Sequence, residues 1–183
     1  MNRTIKADLY RHGELMGLKG FLIGFLRIPG FRYILLLRKV AESRKFTPKW
    51  ILYSFLKNRY SYKYGFQIPS TTEIGEGFYI GHCGPIVING KAKIGKNCNI
   101  THNVTIGQAN RGKLKGCPVI GNNVWIGTGS VIVGKISIGS NVLIAPNSFV
   151  NIDVPENSLV MGNPCKIVRK DNPCEGYINN ILI

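Results

Sequence analysis

The sequence is poor in acidic residues. Nine Asp and Glu stand against 24 Lys and Arg in 183 residues, a formal charge of +15, which argues against an acidic, cation-buffering protein and points toward anionic partners. Cysteine is scarce and unpatterned: the five, at 83, 98, 117, 165 and 174, form no CxxC pair and are odd in number. That argues against a secreted disulfide framework, and the expected setting is the cytoplasm with reduced thiols. Long apolar runs are missing too. Met16 to Leu26 is interrupted by Lys19, lacks a small-residue cleavage site, and is too short to cross about 30 Å of hydrocarbon. With 44% hydrophobic and 18% charged residues the chain is neither collagenous nor disordered, and its length suits one domain with a smaller appendage.

The charge is unevenly placed. Residues 1–67 carry 14 Lys and Arg against 3 Asp and Glu, whereas residues 68–183 carry 10 against 6. In the basic third, apolar residues recur at helical intervals in 9–26, 33–40 and 50–56, punctuated by Pro29-Gly30 and Pro48, which predicts three short helices. No nucleic-acid motif accompanies the charge, and the cations alternate with Leu, Ile, Phe and Tyr. The expectation is therefore no nucleic acid, but peripheral contact of 1–67 with an anionic membrane at its inner face. The alternative is that these helices only pack on the rest and mediate assembly.

From Ile68 the pattern changes. Ile68, Ile74, Ile80 and Ile86 stand six apart, as do Ile88, Ile94, Ile100 and Ile106, and then Ile120, Ile126, Ile132, Ile138, Ile144 and Val150. Ile and Val make up only 36 of 183 residues, so these runs are not compositional. A period of six matches neither 3.6 nor a simple 2; it fits a prism of short parallel strands with one aliphatic residue pointing inward on each face. Two breaks interrupt the clock. Ile80 to Ile100 spans twenty residues, with two extra expected around 86–89, and 108–118 reads as a loop lifted off the prism.

Residues 68–168, closing in GNPCKIV at 162–168, resemble the hexapeptide-repeat acyltransferases. Within them, IGHCGPIVING, ITHNVTIG and GCPVIG are similar to the serine acetyltransferase branch and its capsule-polysaccharide relatives. The resemblance implies a mainly β left-handed parallel β-helix carrying an N-terminal α-helical extension: 1–67 helical, 68–168 catalytic, 169–183 a tail. It also implies acetyl-CoA as co-substrate, no metal, and a homotrimer with Trp125 and loop 108–118 at the contact.

Acyl transfer from a thioester to a hydroxyl needs a base near neutrality, and His82 falls on the family's catalytic His. His102, two places after Ile100 as His82 is after Ile80, is the second catalytic candidate. A metal centre built from His82, Cys83, Cys98, His102 and Cys117 is the competing reading, disfavoured because Cys98 points inward. For the donor, Gly127, Thr128 and Ala145 suit a pantetheine arm, Lys166, Arg169 and Lys170 the phosphates, and Gly107 an oxyanion. Where serine acetyltransferases carry two Asp and a second His, this chain has Gly81, Gln67 and Cys117. With no carboxylate for an ammonium, the expected acceptor is a saccharide hydroxyl in surface-polysaccharide synthesis, small or lipid-linked, met by Gln67, Asn89, Asn103, Thr105, Gln108 and Cys117. Serine O-acetylation in cysteine biosynthesis and a non-catalytic scaffold are the alternatives.

Overall fold

A computed structural model describes residues 1–182. The basic third forms four helices, not three: α1 (Arg3–Tyr10), α2 (Gly17–Arg27), α3 (Pro29–Glu42) and α4 (Pro48–Tyr64). The run expected as one helix from Leu9 to Leu26 breaks at 11–16, where Gly13 and Glu14 take positive φ values of 81° and 59°. Pro29 and Pro48 stand at the two later breaks, opening α3 and α4 at the first helical position, where a missing N–H costs nothing. Asn2 and Thr47 cap α1 and α4 by accepting from the amides of Ile5 and Trp50.

The rest is a left-handed β-helix of about five turns with three parallel sheets. The first sheet stacks Phe66–Gln67, Ile86–Ile88, Val104–Gly107, Val131–Val133 and Phe149–Val150; the second, Glu73–Ile74, Lys93–Ile94, Val119–Ile120 and Ser137–Ile138. The third stacks Tyr79–Ile80, Asn99–Ile100, Val124–Ile126, Val142–Ile144 and Ser158–Met161, and adds Lys166–Arg169 antiparallel. The six-residue clock is the core. Ile80, Ile86, Ile100, Ile106, Ile120, Ile126, Ile132, Ile138, Ile144 and Val150 are all buried along the prism axis. The glycines after the frame residue at 75, 95, 121 and 139 form one corner column. A Cβ on Gly95 would sit 2.5 Å from the carbonyl oxygen of Gly121, so only glycine lets successive coils stack there.

The helices lock onto this prism through polar contacts. The Asp8 carboxylate, 1% exposed, accepts from Arg38 and from the Phe78 amide at 3.0 Å, while Arg38 also donates to the carbonyls of Ile74 and Gly75. The Tyr33 hydroxyl reaches the carbonyls of Phe66 and Ile68. The prism thus begins at Phe66, whose strand pairs with Ile86–Val87, two residues earlier than expected. Loop 108–118 is not lifted free: Ala109 and Gly116 exchange backbone bonds, and Leu114 packs on the core. The tail folds back over the third sheet. Cys174 donates to the Asn123 carbonyl, Asn99 to that of Tyr177, and the Tyr177 ring lies 4.8 Å from Trp125. Trp125 is therefore half-buried beneath its own chain's tail.

Candidate active site

The two extra residues of the clock lie at 81–85, not around 86–89. Ile80 pairs with Ile100, and Ile86 already pairs with Val104, so the corner from Ile80 to Ile86 is longer by two than the corner from Ile100 to Val104. The surplus pushes Gly81, His82 and Cys83 out into solvent. Two elements hold the bulge. The amides of Gly84 and Ile86 donate to the carbonyls of Tyr64 and Gly65, each at 3.0 Å, so the left-handed C-terminal turn of α4 buttresses it. Gly84, at φ 140°, lies against His102: a Cβ there would meet the His102 Cβ at 2.9 Å.

That close approach brings the two imidazoles together, with ring centroids 5.8 Å apart and edge to face. His82 is exposed and His102 half-buried, its Nδ1 enclosed without a hydrogen-bond partner. Neither is in an ion pair among the described residues, and imidazole is the side chain suited to taking a proton from a hydroxyl. Along the same corner, coil by coil, the residues after Ile80, Ile100, Ile126 and Ile144 are Gly81, Thr101, Gly127 and Ala145. Thr128 Oγ1 is 3.2 Å from Thr101 Oγ1. Gly127, Thr128 and Ala145 therefore extend the histidine corner as a narrow column of small side chains, and Lys166, paired with Met161, ends it.

Other expected residues stand elsewhere. Arg169 pairs with Ser158 at the opposite end of that strand, where its guanidinium donates to the Glu156 carbonyl; Lys170 follows it, so neither joins Lys166. Asn103, exposed at φ 59°, is a corner asparagine like Asn147 in the left-handed region, a position that favours asparagine for its turn. Gln67, Val87, Thr105, Val131 and Phe149 share the outer face of the first sheet. Asn89, Gly107, Gln108 and Cys117 gather at the far edge of that face. Cys117 Sγ donates to Asn89 Oδ1 at 3.4 Å, and Asn89 to Gln108 Oε1 at 3.3 Å. Within one protomer, then, Gly107 does not stand over His82; the length of the strand Ile86–Ile88 separates the two clusters.

No group of three or more metal-ligating side chains occurs among the described residues. Cys98 lies in the core, donating to the Gly121 carbonyl, and burial pushes its thiol up to about 12.

Residues 117–151 match the family described as bacterial transferase hexapeptide (six repeats). The chain is 36% identical over 107 residues to serine acetyltransferase of Helicobacter pylori, covering 58% of this chain and 63% of that protein. The solved serine acetyltransferase of Neisseria gonorrhoeae in complex with serine is 32% identical at TM-score 0.73, over 91% of this chain and 68% of that one. The chain belongs to the hexapeptide-repeat acyltransferases. A third hexapeptide-repeat relative, serine acetyltransferase of Brucella abortus in complex with coenzyme A, superposes at TM-score 0.75 with 26% identity, over 92% of this chain and 67% of that one. The chain spans 35% and 63% of the length of two serine acetyltransferases that it matches in sequence.

The relatives named above overturn the saccharide acceptor and the placement beside capsule O-acetyltransferases, since they are serine acetyltransferases. The physical error lay in requiring a carboxylate for the ammonium of serine. Amide and carbonyl oxygens also accept from an ammonium, so the neutral residues at Gly81, Gln67 and Cys117 do not exclude an amino acid.

Proposed function

We propose that the protein transfers the acetyl group of acetyl-CoA to the hydroxyl of serine or a close β-hydroxy amino acid. The observation that carries this reading is the likeness, at 32% identity over 91% of the chain, to a serine acetyltransferase complexed with serine. The pair of exposed His82 and half-buried His102 supplies the chemistry it needs. His82 takes the hydroxyl proton as the oxygen attacks the thioester carbonyl carbon. The tetrahedral intermediate collapses, the carbon–sulfur bond breaks, and the imidazolium returns its proton to the departing thiolate, leaving CoA and an ester. Gly127, Thr128 and Ala145 line the pantetheine path, with Lys166 toward the phosphates. The amide oxygens of Asn89 and Gln108 lie at the other edge of the first sheet. A homotrimer that packs these faces about a threefold axis brings one protomer's Asn89, Gln108 and Cys117 against the next protomer's His82.

The test is release of CoA from acetyl-CoA with L-serine, with the product identified by mass. Saturable O-acetylserine formation is expected. No release above water hydrolysis, from folded protein that binds CoA, overturns the acceptor.

A further inference from the structure

The helix α2 is built inside out for a helix of a water-exposed surface. Its sequence, GLKGFLIGFLR, holds four large aliphatic and two aromatic side chains, yet its buried residues are Gly20 and Gly24. A Cβ on Gly24 would lie 2.7 Å from Leu9 Cδ1 and 2.8 Å from Phe31 Cδ1, so the glycines let α2 press onto α1 and α3. Leu18, Leu22 and Leu26, at i, i+4 and i+8, are turned outward and are 76%, 49% and 66% exposed. The row lies in an apolar surface depression that it shares with Ile23, Lys19 and Arg27, and at its Leu18 end, with Met16, it borders an open apolar cleft of about 850 Å³ that reaches Tyr53 and Leu56 of α4.

An exposed leucine row calls for an occupant, and the charge around it selects one. Lys19 and Arg27 are exposed on α2 itself, and Lys6, Arg44, Lys45 and Lys49 are exposed on the same helical unit. The unit carries 14 cations against Asp8, Glu14 and Glu42, and Asp8 is already spent on Arg38. A second copy would oppose one such cationic face to another, whereas an anionic phospholipid surface complements both the charge and the leucines. At 11 residues, about 16 Å long, α2 is too short to span a bilayer, and no single helix among the described residues is long and apolar enough to do so.

We propose that the α2 face binds the surface of an anionic phospholipid bilayer, with Leu18, Leu22 and Leu26 seated at the acyl boundary and the neighbouring cations on headgroup phosphates. The consequence for the site is proximity. The turn from α2 into α3 touches the prism at Gly30, where a Cβ would collide with the carbonyl oxygen of Ile80, the residue two before His82. A bilayer-bound α2 therefore holds the histidine corner near the membrane.

Flotation with vesicles of phosphatidylcholine alone, and with about 30% phosphatidylglycerol added, tests this. Wild-type protein is expected to float with the anionic vesicles only, to be released by about 0.5 M salt, and to lose at least about tenfold in partitioning in the Leu18→Ser/Leu22→Ser/Leu26→Ser variant. Circular dichroism reports whether that variant is folded. Independently of it, hydrogen exchange of the wild type on anionic vesicles is expected to protect residues 17–27 and leave the strand at 137–138 unchanged. Equal flotation with both vesicle types, flotation with neither, or no protection of 17–27 overturns the proposal. So does light scattering in which the wild type forms an assembly that the triple variant loses, which would assign the face to a second copy.

Discussion

His12 offers a pH experiment whose sign and size follow from its surroundings. It lies in the break between α1 and α2, with its ring 4.5 Å from that of Tyr79 and 6.1 Å from that of Phe31, and its Nε2 is enclosed without a partner. Burial first, and the adjacent Arg11 guanidinium second, lower its pKa from 6.5 to about 4. Between those values the unfolded chain takes up a proton that the native protein refuses, so stability rises with pH there and is lost on acidification below 6.5. At about 1.4 kcal/mol per pH unit, the loss relative to neutral pH is about 2 kcal/mol by pH 5 and roughly 3 kcal/mol by pH 4. The control is His12→Phe, which keeps a ring against Tyr79 and Phe31, removes the titration, and breaks no hydrogen bond at Nε2. Urea unfolding of both proteins at pH 7 and pH 5 gives the difference directly, because every other titrating group is common to the two. With only three histidines in the chain, at 12, 82 and 102, their C2–H resonances can also be followed separately. Parallel losses in the two proteins, or a His12 resonance titrating near 6.5, would refute the reasoning.

His82→Ala is expected to leave the fold intact and to lower turnover by about 10² to 10⁴; an unchanged rate with serine removes the general-base role. Asp8→Ala leaves the half-buried Arg38 and the buried Phe78 amide without their carboxylate and is expected to cost about 3 kcal/mol, read as a fall in the urea midpoint. Gly24→Ala drives a methyl into Leu9 and Phe31 and is expected to cost about 1–3 kcal/mol, whereas Gly13→Ala, which meets nothing within 4 Å but has φ 81°, tests backbone strain alone. Mixing protein carrying Cys117→Ala with protein carrying His82→Ala is expected to restore activity above either alone if sites form between protomers; no recovery after exchange of subunits counts against the shared site.

The prism was legible because its physics is one-dimensional. Each coil must put one aliphatic side chain on the axis per face, so Ile at a period of six reports the fold without any long-range information. The helices were less legible, for a reason visible at residues 11–16. The apolar period continues across the break, which is made by positive φ values at Gly13, Glu14 and Gly17 and by extended backbone at Met16; the glycines are ordinary signals of this, Glu14 is not. The position of the bulge was also hidden. Ile86 is six after Ile80 and twelve after Ile74, so the clock keeps time through 81–85 even though register with the next coil shows the two surplus residues there.

The site divides along the same line. His82 and His102 share a position in the repeat, and the sequence alone placed them together. Asn89, Gln108 and Cys117 also come together, but on the other edge of the first sheet, because which corner a polar residue occupies depends on where the surplus residues are inserted. The acceptor was misread at a different level. An absent Asp is a statement about one way of pairing an ammonium, while binding is satisfied by any set of oxygens that meets its three donors. The amide oxygens clustered at the far edge of the first sheet are those of Asn89 and Gln108, and each already accepts a hydrogen bond in the isolated chain. An ammonium bound there shares Gln108 Oε1 with the Asn89 amide or displaces the Cys117 thiol from Asn89 Oδ1. Asn89→Ala is accordingly expected to raise the KM for serine while leaving the KM for acetyl-CoA unchanged, and equal changes in both would place the amino-acid subsite elsewhere.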